Sequence, residues 1–127
     1  MSLRDDNRSQ MALTLMIVDD HRSFRDAARR VLESAGFEIV GEAVDGETAL
    51  EAIPVLRPDI VLLDVHLPGI DGFEVAMRLS ERGNAPVVVM TSSRDRAHFG
   101  PLVEQSGARG FIDKADLSGP AISAVLA

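Results

Sequence analysis

The chain has 127 residues, of which 46% are hydrophobic, and its 13 Lys and Arg against 20 Asp and Glu give a net charge of -7. A chain of this length and composition is expected to form one domain with a core large enough to fold unaided, which excludes general disorder. The acidic balance argues against non-specific nucleic-acid binding. The absence of Cys excludes disulfides, thiolate zinc sites and cysteine nucleophiles.

Neither a leader sequence nor a membrane-spanning segment is predicted. The first residues lack a basic stretch followed by an apolar one, and the longest apolar runs are far shorter than the roughly 18 residues of a spanning helix. Residues 1–12 are polar and lack apolar periodicity, so we predict a flexible tail there and a single domain over residues 13–127. We expect a cytoplasmic protein that does not contact a membrane.

Short apolar runs alternate with amphipathic stretches from residue 13 onward. This alternation is typical of a parallel sheet that carries helices on both faces. The third run is apolar at every position, which places it at the centre of the sheet. In chain order, the predicted strands are residues 13–18, 38–43, 60–63, 86–90 and 110–113.

A helix is predicted after each strand, with irregularities in the second and the fourth. Pro54 lies inside the second helix and should kink or shorten it. Gly100-Pro101 interrupts the fourth, which predicts the least regular helix of the domain. Asp71 is placed to cap the start of the third helix. The residues of the third helix that we expect to face inward are Phe73, Ala76 and Met77.

Five strand–helix units predict an α/β fold with a doubly wound, five-stranded parallel sheet. Such sheets bind ligands beyond the carboxyl ends of their strands, where the strand order reverses. With the order 2-1-3-4-5, this point lies between strands 1 and 3. The polar residues at the strand ends are Asp19 and Asp20 after strand 1, Asp64 after strand 3, Thr91 after strand 4 and Lys114 after strand 5.

Three carboxylates in one place repel one another unless a cation lies between them. Oxygen ligands without Cys favour a hard ion, and an open site suits Mg²⁺ with bound waters and a phosphate oxygen. On this hypothesis, the carboxylates of Asp19, Asp20 and Asp64 bind Mg²⁺. The backbone carbonyl of His66 completes the protein ligands. His21 and His66 flank the site, where we expect their side chains to tune access or the phosphate lifetime.

Asp64 is the best candidate for a nucleophile, because it is a single carboxylate at the end of a central strand and a loop follows it. A carboxylate held against Mg²⁺ is able to attack a phosphoryl group and become an acyl phosphate. The protein has to supply little more than the positions of the reacting groups and the neutralisation of their charge. Lys114, as a point charge, and Thr91 would bind the phosphoryl oxygens. These residues therefore predict phosphoryl transfer to Asp64.

Five motifs, in this order and at these spacings, resemble the receiver domain of response regulators. The resemblance covers roughly residues 13–127 and implies a flavodoxin-like (βα)5 fold with strand order 2-1-3-4-5. The five motifs are Asp19-Asp20, the strand that ends in Leu63-Asp64, Pro68-Gly69 in the loop after it, Thr91 five residues beyond Pro86, and Phe111 three residues before Lys114.

The resemblance implies a role in a two-component phosphorelay. Asp64 would accept phosphate from a sensor histidine kinase, a phosphotransfer protein or a small acyl-phosphate donor. Mg²⁺ would be bound at Asp19 and Asp20, and Lys114 would contact the phosphate. The downstream partner is left open.

The resemblance also implies a switch made of Thr91 and Phe111. The hydroxyl group would move towards the new phosphate, and the aromatic ring would follow into the space that it leaves. Such a change is a population shift between two packings. The fourth helix, strand 5 and the last helix would form the output face, which would also allow a phosphorylation-dependent dimer.

Three alternatives compete with this interpretation. A flavin-binding module would need a hydroxyl-rich phosphate loop after strand 1 and usually aromatic walls, but the chain has no Trp or Tyr. An aspartyl phosphatase would carry a second Asp two residues after the nucleophile, where this chain has His66. A degenerate receiver would bind its partners without phosphorylation.

We expect a protein that catalyses its own phosphorylation and dephosphorylation and is not a turnover enzyme.

Overall fold

The computed structural model describes residues 12–94 and 96–127, so the predicted tail at residues 1–12 lies almost entirely outside the described residues. All five predicted strands are present, and every neighbouring pair is parallel. The strands are β1 (Thr14–Val18), β2 (Glu38–Ala43), β3 (Ile60–Asp64), β4 (Val87–Ser92) and β5 (Gly110–Asp113).

Helices connect the strands, and the fourth is the least regular, as predicted. It has only four residues and follows a short 3-10 turn at Arg96–His98, with the break at Gly100-Pro101 between the two. Gly100 has a φ of 58°, a conformation that glycine adopts without strain. The helices are α1 (Arg22–Ser34), α2 (Gly46–Leu56), α3 (Gly72–Ser80), α4 (Leu102–Gln105) and α5 (Gly119–Leu126), and a further 3-10 turn covers Lys114–Asp116.

The strand order is β2-β1-β3-β4-β5, which confirms the predicted order. β1 and β3 are neighbours, so the crevice expected where the order reverses lies at their carboxyl ends. The register sets Val18 opposite Leu63 and Asp64 opposite Thr91. β4 extends to Ser92, so Thr91 belongs to the strand rather than to the loop after it.

The two faces of the sheet carry separate hydrophobic groups. Residues of α2, α3 and α4 pack on one face, and residues of α1 and α5 pack on the other. Every residue of β3 is buried, as expected for a central strand that is covered on both faces. No helix within residues 12–94 and 96–127 combines the length and the hydropathy needed to cross a bilayer.

The prediction that Met77 faces inward is wrong. Its side chain is 43% exposed, whereas Val75, Ala76 and Leu79 are buried. The helix begins at Gly72 and buries positions 75, 76 and 79, which lie close together around a helix of 3.6 residues per turn. Met77 is two residues from Val75, so it projects from the opposite side.

Pro54 does not end α2, which continues to Leu56 and stops at Arg57 in a left-handed conformation with φ of 51°. A proline has no N–H, so the carbonyl of Leu50, four residues earlier, loses its usual helical donor. A guanidinium N–H of Arg82, located just beyond α3, donates to this carbonyl at 3.3 Å. The second helix is therefore supported at its weak point by a residue far away in the sequence.

Gly72 allows the start of α3 to pack directly against the loop that follows β3. Its N–H donates to the carbonyl of Val65 at 2.8 Å, and a Cβ atom at this position would overlap the carbonyl oxygen of Asp64. Asp71 caps the helix as predicted, accepting a hydrogen bond from the N–H of Glu74 at 2.9 Å. These contacts fix the backbone on either side of Asp64.

We expect the Arg82→Ala substitution to lower the free energy of unfolding by about 1 kcal/mol, because it leaves the Leu50 carbonyl without a donor. In a Pro54→Ala background the helix supplies its own donor, so the same substitution should have a smaller effect. Urea unfolding of the four proteins of this double-mutant cycle measures the difference. An equal loss in both backgrounds would show that Arg82 acts in another way.

We expect Gly72→Ala to destabilise the protein by about 1–3 kcal/mol, since the methyl group has no room against backbone atoms. Gly83→Ala is the matched control, because a Cβ atom at Gly83 would meet nothing within 4 Å. Its effect should stay within about 0.5 kcal/mol of zero. Thermal unfolding of both variants checks the prediction, which a similar small effect at the two positions would contradict.

Candidate functional site

The fold brings four of the polar residues predicted at strand ends into one crevice. Asp19 is fully buried, Asp64 is 2% exposed and Thr91 is 1% exposed. The N–H of Asp19 bonds the carbonyl of Ala43, which ties the end of β1 to the end of β2. The ammonium group of Lys114 reaches both buried carboxylates from the end of β5.

The two carboxylates are arranged around this single ammonium group. Nζ of Lys114 lies 2.7 Å from Oδ2 of Asp19 and 3.5 Å from Oδ2 of Asp64, and the lysine side chain is 17% exposed. Two buried negative charges therefore share one positive charge. Asp20 lies beside them with a side chain that is 37% exposed, which adds a third carboxylate at the solvent side of the crevice.

His21, which we predicted to flank the site, contacts two of its carboxylates directly. Its N–H donates to Oδ1 of Asp19 at 2.8 Å. Its ring Nδ1 lies 3.1 Å from the same oxygen and 3.2 Å from Oδ1 of Asp20. Only its place next to Asp19-Asp20 could have indicated this role, because the ring orientation depends on how the loop turns into α1.

Ligand atoms of four residues lie within 4.8 Å of one another, namely those of Asp19, Asp20, His21 and Asp64. Oxygen donors with an excess of negative charge are the set that Mg²⁺ prefers, so this chain's residues fit such an ion. The N–H of His66 donates to Oδ1 of Asp64 at 3.2 Å. Its carbonyl oxygen as a further ligand stays a prediction.

Burial raises the pKa of the Asp64 carboxyl group, and the negative charge of Asp19 raises this pKa further. The ammonium of Lys114 and the N–H of His66 act in the opposite direction but do not cancel the effect. The carboxylate at the centre of the site is therefore held in an unfavourable environment when it is charged. Additional positive charge close to Asp64 would relieve this.

The hydroxyl group of Thr91 is buried and has no hydrogen-bond partner among the described residues. A buried hydroxyl without a partner costs roughly 1–3 kcal/mol, so such a group needs an explanation. Thr91 lies opposite Asp64 in the sheet register. Its hydroxyl is thus a free donor next to the candidate phosphoacceptor.

Phe111 packs into a group of aromatic rings rather than standing alone. Its ring centroid is 5.8 Å from that of Phe99, and Phe99 is only 8% exposed. Phe99 also contacts the rings of His66 at 5.8 Å and Phe73 at 5.7 Å. No sequence pattern indicated Phe99, because it lies in the irregular segment before α4, where helical periodicity does not apply.

In metal-free protein, we expect Asp64→Asn to raise the free energy of unfolding at neutral pH. The folded state binds the Asp64 proton more tightly than the unfolded state, so this group destabilises the fold increasingly as the pH rises above the unfolded pKa of about 3.9. The advantage of the variant should shrink as the pH falls towards that value. Urea unfolding in a chelator across this range measures it.

Asp26→Asn is the matched control for this comparison, since it removes a carboxylate that is 53% exposed on α1. It should not reproduce the pH-dependent gain of the Asp64 variant. A loss of stability on replacing Asp64 at neutral pH would contradict the prediction.

Comparison with known proteins places these observations in a family. The family model of the response regulator receiver domain matches residues 15–119. The chain is 40% identical over 102 residues to a candidate transcriptional regulator of Pseudomonas aeruginosa, covering 80% of this chain and 49% of that protein. It is 30% identical over 113 residues to the DNA-binding transcriptional activator EvgA of Escherichia coli, covering 89% of this chain and 55% of that protein.

The chain spans about half the length of these curated relatives. Among solved structures, the signal receiver domain of the candidate response regulator NarL from Mycobacterium tuberculosis is similar with a TM-score of 0.81 and 32% identity. The match covers 91% of this chain and 97% of that domain. With the family match over most of its length and the flavodoxin-like sheet order, this chain belongs to the receiver domains of response regulators.

Proposed function

We propose that this chain is a phosphoacceptor in a two-component phosphorelay and that Asp64 is the residue phosphorylated. The observation that carries the proposal is the convergence of a buried carboxylate, an ammonium group and an unpartnered hydroxyl group at the carboxyl ends of β3, β4 and β5. We further propose that residues 13–127 form the functional receiver unit, which acts in the cytoplasm together with its kinase.

In the proposed reaction, a carboxylate oxygen of Asp64 forms a bond to the phosphorus atom. The bond from phosphorus to the donor breaks, and the donor leaves with that electron pair. Receiver domains of response regulators are phosphorylated by histidine kinases, so the proposed donor is a sensor histidine kinase or a phosphotransfer protein. A small acyl phosphate supplies the same group without a protein partner.

Mg²⁺ fits the carboxylates of Asp19, Asp20 and Asp64, with the carbonyl of His66 as a further proposed ligand. When bound, the ion supplies charge neutralisation between the carboxylates and the incoming phosphoryl oxygens. Lys114 provides positive charge at the site, with its Nζ 3.5 Å from Oδ2 of Asp64. Burial of Asp64 limits the hydrogen bonds that water makes to the attacking carboxylate.

The proposed switch uses the free hydroxyl group of Thr91. Once Asp64 carries a phosphoryl group, this buried hydroxyl gains an acceptor and turns towards it, which favours one packing of β4 over the other. Phe111 is proposed to follow, together with the ring of Phe99 against which it packs.

The output face would be α4, β5 and α5, with a phosphorylation-dependent dimer as one outcome. The protein would modify only itself and would not turn over a substrate.

The proposal predicts a gain of one phosphoryl group on incubation with a small acyl-phosphate donor and Mg²⁺, detected by intact mass. The gain should be labile to hydroxylamine and absent in Asp64→Asn or in the presence of a chelator. Asp26→Asn, with its exposed carboxylate, is the control and should label normally. Labelling of the Asp64 variant would move the acceptor to another residue.

The same samples test the switch and the main alternative. Ring resonances of Phe111 should shift on phosphorylation of the wild type but remain in place in a Thr91→Val variant that still takes up phosphate. A wild type that gains no phosphoryl group under any of these conditions would support the alternative of a degenerate receiver, a binding module that acts without phosphorylation.

A further inference from the structure

Phe24 lies in the first turn of α1 and brings an aromatic ring to the edge of the site. The side chain is half-buried and packs against the hydrophobic group beneath α1 and α5. Nζ of Lys114 lies 4.5 Å from the centroid of this ring. The first helix and the end of the last strand, far apart in the sequence, therefore meet at one ammonium group.

A cation within about 6 Å of a ring centroid is attracted by the negative face of the aromatic ring. The attraction is stronger when water is excluded, and Lys114 is only 17% exposed. Lys114 is also the only lysine of the chain, which otherwise carries 12 arginines. The site thus has one ammonium group, with three attractive neighbours in Asp19, Asp64 and Phe24.

These neighbours do not hold the ammonium group equally. Asp19 is nearest, at 2.7 Å, and Asp64 is at 3.5 Å. A lysine side chain has many rotamers, so an ammonium group held only by carboxylates would follow whichever carboxylate keeps its charge. The ring of Phe24 attracts the ammonium without carrying a net charge. It therefore adds nothing to the repulsion between Asp19 and Asp64, and it does not compete for a proton or a metal ion.

We infer that Phe24 is a positioning residue for Lys114: its ring holds the ammonium group by a cation–π interaction beside the Asp64 carboxylate that would receive the phosphoryl group. This inference rests on the proposed function and adds a residue to it. The need for such a support is greatest when the carboxylate of Asp19 is shared with another cation, because its pull on Lys114 is then reduced. Phe24 acts through Lys114 and does not itself touch the reacting atoms.

Fluorinated phenylalanines at position 24 test the inference, because fluorine weakens the negative face of the ring with little change in its size. A series with one, two and three ring fluorines separates the electrostatic role from core packing. Phosphoryl uptake from a small acyl phosphate should slow stepwise along the series. In Phe24→Leu the slowing should reach roughly three- to tenfold, the range expected for a partly desolvated cation–π contact.

A second readout follows the contact itself in unphosphorylated protein. Since the chain has a single lysine, isotope-labelled lysine gives one set of NMR signals. In the wild type the side-chain protons next to Nζ should be shifted upfield by the ring current of Phe24. The shift should be lost in Phe24→Leu and retained in Phe24→Tyr, which should also restore uptake. Phe37→Leu is the control, because this half-buried ring packs in the same core group but precedes β2 at the other end of the sheet.

Equal uptake rates along the fluorinated series, or lysine signals at their random-coil positions in the wild type, would overturn the inference. Failure of the proposed function gives a different result, because the wild type would then take up no phosphate at all. In that case the lysine signals still test the cation–π contact between Phe24 and Lys114. An upfield shift that depends on Phe24 supports this contact, and the absence of such a shift refutes it.

Discussion

Within residues 12–94 and 96–127, two buried carboxylates lie next to one ammonium group, and the other features of the site follow from this interaction. Asp19 and Asp64 are almost inaccessible to solvent, and both lie within salt-bridge distance of Lys114. The crevice therefore keeps an excess of negative charge in a place where water screens it poorly. This arrangement costs the fold some stability, and a cation bound between the carboxylates would offset part of that cost.

The central strands hold these carboxylates in place despite that cost in stability. Every residue of β3 is buried. The parallel register between β3 and β4 places Asp64 beside Thr91, so their proximity does not depend on the conformation of a loop. The loop after Asp64 is then closed against α3 at Gly72, where only a glycine fits. The backbone that carries Asp64 is thus held by a buried strand and by a loop packed against α3.

The segment from β4 to α4 has the opposite character. It consists of a short 3-10 turn, a glycine in a left-handed conformation and a single helical turn, and its hydrogen bonds at Gly100 and Leu102 are long, at 3.4 and 3.3 Å. Segments with few regular hydrogen bonds open at low cost. Phe99 is buried on this segment between the rings of His66, in the loop after β3, and Phe111, on β5. This irregular segment therefore packs against both the site and the proposed output face.

Much of this could be predicted from the sequence, because alternating strands and helices of a parallel sheet bring the residues at the strand ends to one edge. The strand pattern placed Asp19, Asp64 and Lys114 in the right positions, and the resemblance to receivers supplied the strand order. Local periodicity did not determine which way Met77 faces, because positions 73, 76 and 77 and positions 75, 76 and 79 each fit one face of a helix. Packing on the sheet buried the second set. It also could not show that Arg82 supports the helix at Pro54.

The order of the residues was enough to predict the strands and helices, the charged residues at the strand ends and the resemblance to receivers. The contacts between distant elements became visible only in the packed fold: the ring of Phe24 over Lys114, the ring of His21 against two carboxylates, and Phe99 between His66 and Phe111. Hydrophobic patterning depends on neighbours within a few residues, whereas these contacts depend on side-chain directions from elements that are distant in the chain. Such directions are fixed only when the helices have packed on the sheet.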